Sequence, residues 1–405
     1  MKRYCKNVEL NKDFVKRCML ECFYGKWKRR DVAGFLADYQ TGERLPTREI
    51  QRLIAEDKTN AMELIERASE EMAKEISERN VHFAEIRYST RYDESSGKYR
   101  EIGVESIKQQ IYNYVAVNGL MELFKRKIGT HQCASIPKRG QVYGKRAIER
   151  WIRSNPKQTR IGAKADVRQC YPSIDTNKLM ELLQKQVKNK DLLYLTDVLI
   201  RSYKNGLSIG SYLSQWLCNY YLSFVYNYAE QQLFKFQKRN GQRRRKRLFY
   251  KILFYMDDIL MVGARKADVK RAMKKLIEFM SKELGLTVKP NWKLFQIDHI
   301  GKDGKHHGDP IDMMGFKIYR DRTEIRRNIF LRMRRAYVRA KAKINIPLRL
   351  AYRRISYYGW VIHSNSIHFQ RKYHIEQLFK YAKRSVRNES AIHRATTGCQ
   401  LATAW

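Results

Sequence analysis

The stretch "KILFYMDDILMVG", residues 251–263, places two adjacent carboxylates, Asp257 and Asp258, between two apolar runs. Both runs are short and bounded by polar residues, the pattern of strands, so the reading is a hairpin with the carboxylates at its tip. Aspartates in turns usually only shape the turn or cap a helix. Here the flanks supply little else to satisfy them, and a buried carboxylate costs several kcal/mol unless it is neutralised, hydrogen-bonded or bound to a metal. Earlier in the chain, "AKADVRQCY" ends another apolar-to-polar strand on a lone carboxylate, Asp166. Two strands can thus deliver three carboxylates to one point.

Three hard oxygen ligands at one point suit two-metal phosphoryl transfer, in which ions roughly 3.5–4 Å apart activate the attacking hydroxyl and stabilise the leaving pyrophosphate. The composition agrees with a nucleic-acid substrate. Lys and Arg outnumber Asp and Glu by 82 to 41, a formal charge of +41, and an excess of that size is most often used to meet a polyanion. With 43% hydrophobic and 12% aromatic residues, the chain is nevertheless a folded protein, long enough for two or three domains or for one large unit with subdomains. The seven cysteines are odd in number, scattered and without a CxxC pair, which favours buried free thiols over disulfides or structural zinc. No apolar run of membrane-spanning length and no signal-type segment occurs, so a cytoplasmic protein is expected.

Residues 47–80 read as helix, with Glu63/Arg67, Glu70/Lys74 and Glu75/Arg79 spaced i,i+4 on a solvated face. "TRYDESSGKYR" reads as a loop, and a long amphipathic helix follows from about 103 to 127. Residues 161–175 begin as a strand and end at a turn, where Asp175 N-caps the next helix. Further helices are expected at 191–203, 211–237 and 266–283, the last ended by Gly285. "KRNGQRRRKR", 238–247, reads as a loop around an Asn-Gly turn, either solvated or touching nucleic acid or a partner through Arg243, Arg244 and Arg245. "IDMMGFKIYR", 311–320, predicts a second strand pair, and 326–395 is basic and helical in period. Strands are a minority not regularly alternated with helices, so the class is α+β.

The order of these motifs resembles the reverse transcriptases. "YMDD", Tyr255-Met256-Asp257-Asp258, matches that family's metal-binding hairpin, and "ADVRQCY" matches its first metal motif, which brings Val167 into the metal set and puts Tyr171 at the aromatic gate against a ribose 2′-hydroxyl. "LGLTVKPNWK" matches the motif whose lysine, here Lys293, protonates or neutralises pyrophosphate. "MMGFKIY" resembles the primer grip, with Gly315 and Phe316. In "SIPKRGQVYGKR", Lys138 and Arg139 fall where fingers residues clasp the triphosphate, with Lys145 or Arg146 as alternatives. The resemblance implies a right-hand polymerase with an antiparallel palm sheet and mostly helical fingers and thumb. Its parts would be an N-terminal helical extension (1–90), fingers (91–165), a palm (166–320, with a fingers segment at 176–210), and a helical thumb with C-terminal tail (321–405), without room for an RNase H or endonuclease domain. The implied reaction is RNA-templated DNA synthesis from a 3′-hydroxyl with dNTPs and two Mg²⁺ ions, Mn²⁺ being a workable substitute.

"LSIGSYLSQWLCN", 207–219, discriminates within the family. Most reverse transcriptases have glutamine before this glycine and proline after the serine, whereas this chain has Ile209-Gly210 and Ser214-Gln215, a pattern similar to the enzymes of diversity-generating retroelements. That subgroup implies a bacterial or phage-encoded enzyme that copies a template-repeat and spacer RNA into cDNA with errors at adenines, for mutagenic retrohoming and protein diversification. It also implies a small basic accessory protein, itself oligomeric, as partner. An isoleucine here offers only shape, where a polar side chain would test the forming pair by hydrogen bonds; its plain reading is a core residue beside a helix-starting glycine. The rivals are a reverse transcriptase of the retron, group II intron-like or phage-defence kind and, from another class, an RNA-binding maturase without catalysis, which three intact carboxylates disfavour.

Overall fold

The computed structural model describes residues 3–42, 44–93, 97–239, 241–338 and 346–399. Four helices open the chain: α1 (Lys12–Phe23), α2 (Arg30–Ala37), α3 (Thr47–Glu56) and α4 (Met62–Ser77). The single helix expected over 47–80 is therefore split, because Asp57 is extended and its side chain caps a 3₁₀ turn at Lys58–Ala61 instead. Of the expected i,i+4 pairs Glu63–Arg67 forms. Glu75 turns inward to Lys108 at 2.6 Å and to the Tyr112 hydroxyl, while Glu70 reaches Lys12 on α1.

Next comes an antiparallel ribbon, β1 (Arg87–Asp93) and β2 (Lys98–Val104), where a loop was expected. The expected long helix after it is α5 (Ile107–Gly119) and α6 (Met121–Lys127), interrupted at Leu120. β3 (Gln132–Cys133), α7 (Gln141–Ser154), β4 (Ile161–Asp166), α8 (Thr176–Gln186), α9 (Lys190–Arg201) and α10 (Tyr212–Gln232) follow. Asp175 caps α8 as its position predicts, accepting from the amides of Asn177 and Lys178. The end of the helix expected at 211–237 and the basic stretch after it form a second ribbon, β5 (Phe234–Arg239) with β6 (Gln242–Arg247). This corrects both readings; Asn240 of the Asn-Gly turn lies outside the described residues.

β7 (Lys251–Tyr255) and β8 (Asp258–Gly263) are the hairpin of the opening motif, followed by α11 (Lys266–Leu284), which stops at Gly285. Short strands come next: β9 (Lys293–Gln296), β10 (His299–Ile300), β11 (His306–His307), β12 (Ile311–Met313), β13 (Phe316–Ile318) and β14 (Thr323–Ile325). Helices α12 (Arg327–Val338), α13 (Leu348–Ile362), α14 (Ile367–Lys372) and α15 (Ile375–Cys399) end the described chain; residues 400–405 of the expected tail lie outside it.

The central sheet has the order β3-β7-β8-β4-β9, antiparallel apart from β3 with β7. Its two faces explain why the runs around the paired aspartates are apolar throughout. Ile252, Phe254, Ile259 and Met261 point into a core shared with α10 and α11, while Leu253, Leu260 and Val262 point into a second core shared with α7, β12–β14 and the C-terminal helices. A sheet covered on both sides needs an apolar residue at every position rather than at alternate ones. Cys5, Cys18, Cys22, Cys133, Cys170 and Cys218 are buried free thiols. Among the described residues no helix is long and apolar enough to cross a membrane.

Candidate active site

Antiparallel pairing of β4 with β8 sets Asp166 opposite Asp258, and pairing of Tyr255 with Asp258 leaves Met256 and Asp257 as a two-residue turn. Met256 sits in the left-handed region at φ 52°, a conformation that favours glycine in such turns. Its sulfur is held by Asn219 Nδ2 at 3.5 Å and by the Tyr171 hydroxyl at 3.9 Å. The Val167 amide donates to the Asp257 carbonyl at 3.0 Å, which fixes the turn against the end of β4. The three carboxylates therefore meet, only partly withdrawn from water, with Asp258 28% and Asp166 33% exposed: burial, then the charges of Asp258 and Asp166, raise the Asp257 pKa above the ordinary carboxylate range. Burial raises Asp258 as well, against the pull of Lys164, whose ammonium lies 3.5 Å away. Asp166 is ion-paired with Lys289.

Beside Asp257 opens a cleft of about 850 Å³ whose walls are the turn Val167–Pro172, the loop Lys204–Gly210, Gln215, Lys289, and Tyr88, Tyr99, Arg100 and Glu101 of the β1–β2 ribbon, Glu101 lying 3.9 Å from the Lys204 ammonium. Tyr171 is half-buried in its floor, and burial raises its phenol pKa. Ile209, also half-buried, and Gly210 form part of the wall. Gly210 has φ 105°, and a Cβ there would lie 3.2 Å from Ile102 and 3.5 Å from the Gly103 carbonyl of β2. Ser214 is buried and acts on the loop, accepting from the Ser208 amide at 3.2 Å while its own amide donates to the α10 cap Ser211. Gln215, half-buried, lines the cleft, and its side-chain amide makes no hydrogen bond among the described residues.

Other residues singled out in the sequence lie elsewhere. Lys138 is exposed and Arg139 donates to the Gly129 carbonyl at 2.8 Å; neither lines the cleft. Lys145 is buried against Glu149 at 2.9 Å. The cations that do line the cleft are Arg100, Arg168, Lys204 and Lys289. Lys293 is exposed on β9, paired across strands with Lys164, so of the two lysines in that motif it is Lys289 that ion-pairs with a carboxylate. Met314 and Gly315, both at positive φ, make the β12–β13 turn, but Phe316 is only 1% exposed, its ring centroid 4.8 Å from that of Trp360 on α13. Arg243, Arg244 and Arg245 are on β6, away from the cleft.

Sequence reasoning missed Arg100, Lys164, Lys204 and Lys289. The lysine pair in "LTVKPNWK" was a signal for the last; Arg100, Lys164 and Lys204 carried none.

The donor set at the three aspartates is all hard oxygen, with the Val167 carbonyl, which accepts no hydrogen bond among the described residues, as a fourth. That set fits Mg²⁺ or Mn²⁺. A second cluster, Asp298, His306 and Asp321, has ligand atoms within 4.8 Å of one another. Its groups are already used: Asp298 takes His306 Nδ1 at 2.7 Å and the Arg320 amide at 3.1 Å, and the Arg322 guanidinium stands 2.9 Å from His306 Nε2, where it would repel a cation.

An α+β fold whose central antiparallel hairpin brings three carboxylates to the edge of a basic cleft is that of a right-hand polymerase. The family model for reverse transcriptase (RNA-dependent DNA polymerase) matches residues 91–318, more than half of the chain, and the protein belongs to that family. No curated protein sequence matches it. Among solved structures it is similar to one titled as apo telomerase from Candida tropicalis, at 11% identity and a TM-score of 0.45, covering 90% of this chain and 74% of that one.

Proposed function

We propose that this reverse transcriptase serves a diversity-generating retroelement, copying a template-repeat RNA into cDNA with errors at adenines and working with a small basic accessory protein. The observation that carries the reading is the meeting of Asp166, Asp257 and Asp258 beside a cleft whose wall is Ile209-Gly210 and whose floor is Tyr171. Asp166, Asp257, Asp258 and the Val167 carbonyl would hold two Mg²⁺ ions, which would supply activation of a primer 3′-hydroxyl and positive charge for the departing pyrophosphate. Tyr171 lies beneath the sugar of the incoming dNTP and leaves no room for a 2′-hydroxyl. Arg100, Lys204 and Lys289 supply the positive charge that meets the triphosphate, in place of Lys138, Arg139 and Lys293. Fingers are then the β1–β2 ribbon with the helices packed on it, palm the central sheet, and thumb the helices from α12 onward.

Ile209 supports the subgroup, since an apolar wall cannot test base-pair geometry by directional hydrogen bonds. The experiment is primer extension on a defined RNA with dNTPs and Mg²⁺, followed by sequencing of the cDNA. Misincorporation concentrated at template adenines supports the reading. Faithful cDNA returns the protein to the retron, group II intron-like or phage-defence kinds, and absence of cDNA with either Mg²⁺ or Mn²⁺ returns it to a maturase.

A further inference from the structure

Among the described residues the β5–β6 ribbon pairs with no other strand, and it joins α10 to β7. α10 starts at the cleft and runs 21 residues, about 30 Å at the helical rise, so the ribbon stands well outside the copying site. No acidic residue occurs between Glu230 and Asp257. Across the ribbon Lys235 faces Lys246 and Lys238 faces Arg243, and like charges directly opposite destabilise a strand pair. Acidic partners are present only at the root, where Lys235 pairs with Asp268 at 2.6 Å and Arg247 with Glu230. Lys238, Arg243, Arg244 and Lys246 have none among the described residues.

The ribbon's aromatic residues serve its arginines. Arg243 stacks on Phe236, which is 59% exposed, at 4.1 Å, and Arg245 on Phe234 at 3.7 Å. A guanidinium seated over a ring face can keep its donors for a phosphate; Arg243 donates to no acidic group among the described residues, while Arg245 already gives one donor to the Gln231 carbonyl. We infer that the β5–β6 ribbon is a second RNA site, a phosphate clamp that holds the template RNA outside the copying cleft. The inference rests on the reading of the protein as an RNA-templated polymerase. A merely solvated segment has no use for facing like charges, and a basic protein partner would add to the repulsion. A polyanion removes it.

The test is the full-length protein with Arg243→Gln, Arg244→Gln and Lys246→Gln combined, beside Arg243→Lys alone. All three positions are exposed, and their neutralisation relieves repulsion, so the melting temperature should hold or rise. On a short template–primer duplex that fits the cleft, extension should match the parent. On a long structured RNA, affinity of the triple variant should fall tenfold or more near physiological salt, and the slope of log affinity against log salt should flatten by about 2. Arg243→Lys, which keeps charge but loses the ring-held fork, should lose a few-fold in affinity with the slope unchanged. Unchanged affinity and slope in the triple variant, the result expected of a ribbon that meets an acidic protein or only solvent, would overturn the clamp; so would an equal loss on the short duplex. Failure of the parent itself to extend any primer would instead count against the polymerase reading, with the binding assay still deciding the clamp.

Discussion

Asp257→Asn should stabilise the metal-free protein while abolishing DNA synthesis. Asp257 stands in the turn beside Asp258, with Asp166 on the neighbouring strand, and two like charges about 5 Å apart repel by about 3 kcal/mol at an effective dielectric of 20, or about 0.8 kcal/mol in water. Asp258 is compensated by Lys164 and Asp166 by Lys289. Asp257 has no ion pair of its own among the described residues, so removing its charge should return about 1–3 kcal/mol. The unfolding entropy of about 2.1 cal/mol/K per residue, over 405 residues, turns this into a rise of about 1–4 °C in melting temperature in EDTA. Mg²⁺ at a hundred times its dissociation constant would add about 2.7 kcal/mol to the parent and little to a variant lacking one ligand, so the order of the two melting curves should narrow or reverse.

The pH dependence follows from the sign of the shift. Asp257 and Asp258 have pKa values raised in the fold, so their ionisation opposes folding. That penalty is absent below the unfolded carboxylate value, near 4, grows as the pH rises through it, and is complete above the folded value. The advantage of Asp257→Asn in EDTA should therefore vanish in acid and reach full size near neutrality. Differential scanning fluorimetry across pH, with EDTA and with MgCl₂, measures all of this. A variant that melts below the parent in EDTA at neutral pH, or that keeps the parent's full Mg²⁺ shift, would refute the reasoning and make Asp257 a structural turn residue.

Tyr171→Ala should admit ribonucleotides in single-nucleotide addition while dNTP use persists; rejection as strong as the parent's would place the gate elsewhere. Gly315→Ala should cost 2 kcal/mol or more in urea unfolding, ~2 being typical of a side chain forced into positive φ and a filled site, because its Cβ would enter the Trp360 ring and lie 2.8 Å from Ile329. Gly359→Ala, in open space on α13, should instead gain about 0.5–1 kcal/mol, and a neutral Gly315→Ala would mean that the turn is free of the helix. Ile209→Gln should lower misincorporation by roughly tenfold, the effect of one net hydrogen bond or a little more, most of all at adenines; an unchanged error spectrum in an active variant would leave Ile209 as packing only.

The parts of the fold that were legible in the sequence are those where one local pattern decides. The short continuous apolar runs on either side of Met256-Asp257-Asp258 read as buried strands, and the lone carboxylate after "IGAKA" as Asp166 at a strand end. The two ribbons were missed for different reasons. In β1 and β2 runs of polar residues break any alternation, as Ser89, Thr90 and Arg91 do in the first and Arg100 and Glu101 in the second. In β6 it is invisible, because five of its six residues are cationic and the apolar half of its stacked face, Phe234 and Phe236, comes from the neighbouring strand. Lys289 against Lys293 could not be decided locally, since it turns on which residue the Asp166 carbonyl bonds, and that is the Lys289 amide at 2.9 Å. Phe316 is buried by Trp360, a residue from a helix far along the chain.

The Ile209 experiment is readable because the loop does not depend on the isoleucine for its shape. The Leu207 amide donates to the Tyr171 carbonyl at 2.9 Å, the Lys204 amide to the Tyr88 hydroxyl at 2.9 Å, and the Ser208 amide to Ser214. Beneath it, Ser211 is tied to the Tyr203 hydroxyl at 2.8 Å, which in turn donates to the buried Glu105 at 3.2 Å, so the start of α10 is fixed to the segment that follows β2. Gly210, at φ 105°, lies close against β2, where a Cβ would press on the Ile102 side chain at 3.2 Å. These contacts are all made by backbone or by residues other than Ile209, whose own side chain stays half-exposed in the cleft wall. A glutamine can replace it without moving the wall, and its amide would then face the same space as the unpaired amide of Gln215. A change in the error spectrum would accordingly report what that wall can sense in the forming base pair, while loss of all activity would point to Gln215 and the new glutamine pairing with each other across the space the pair must occupy.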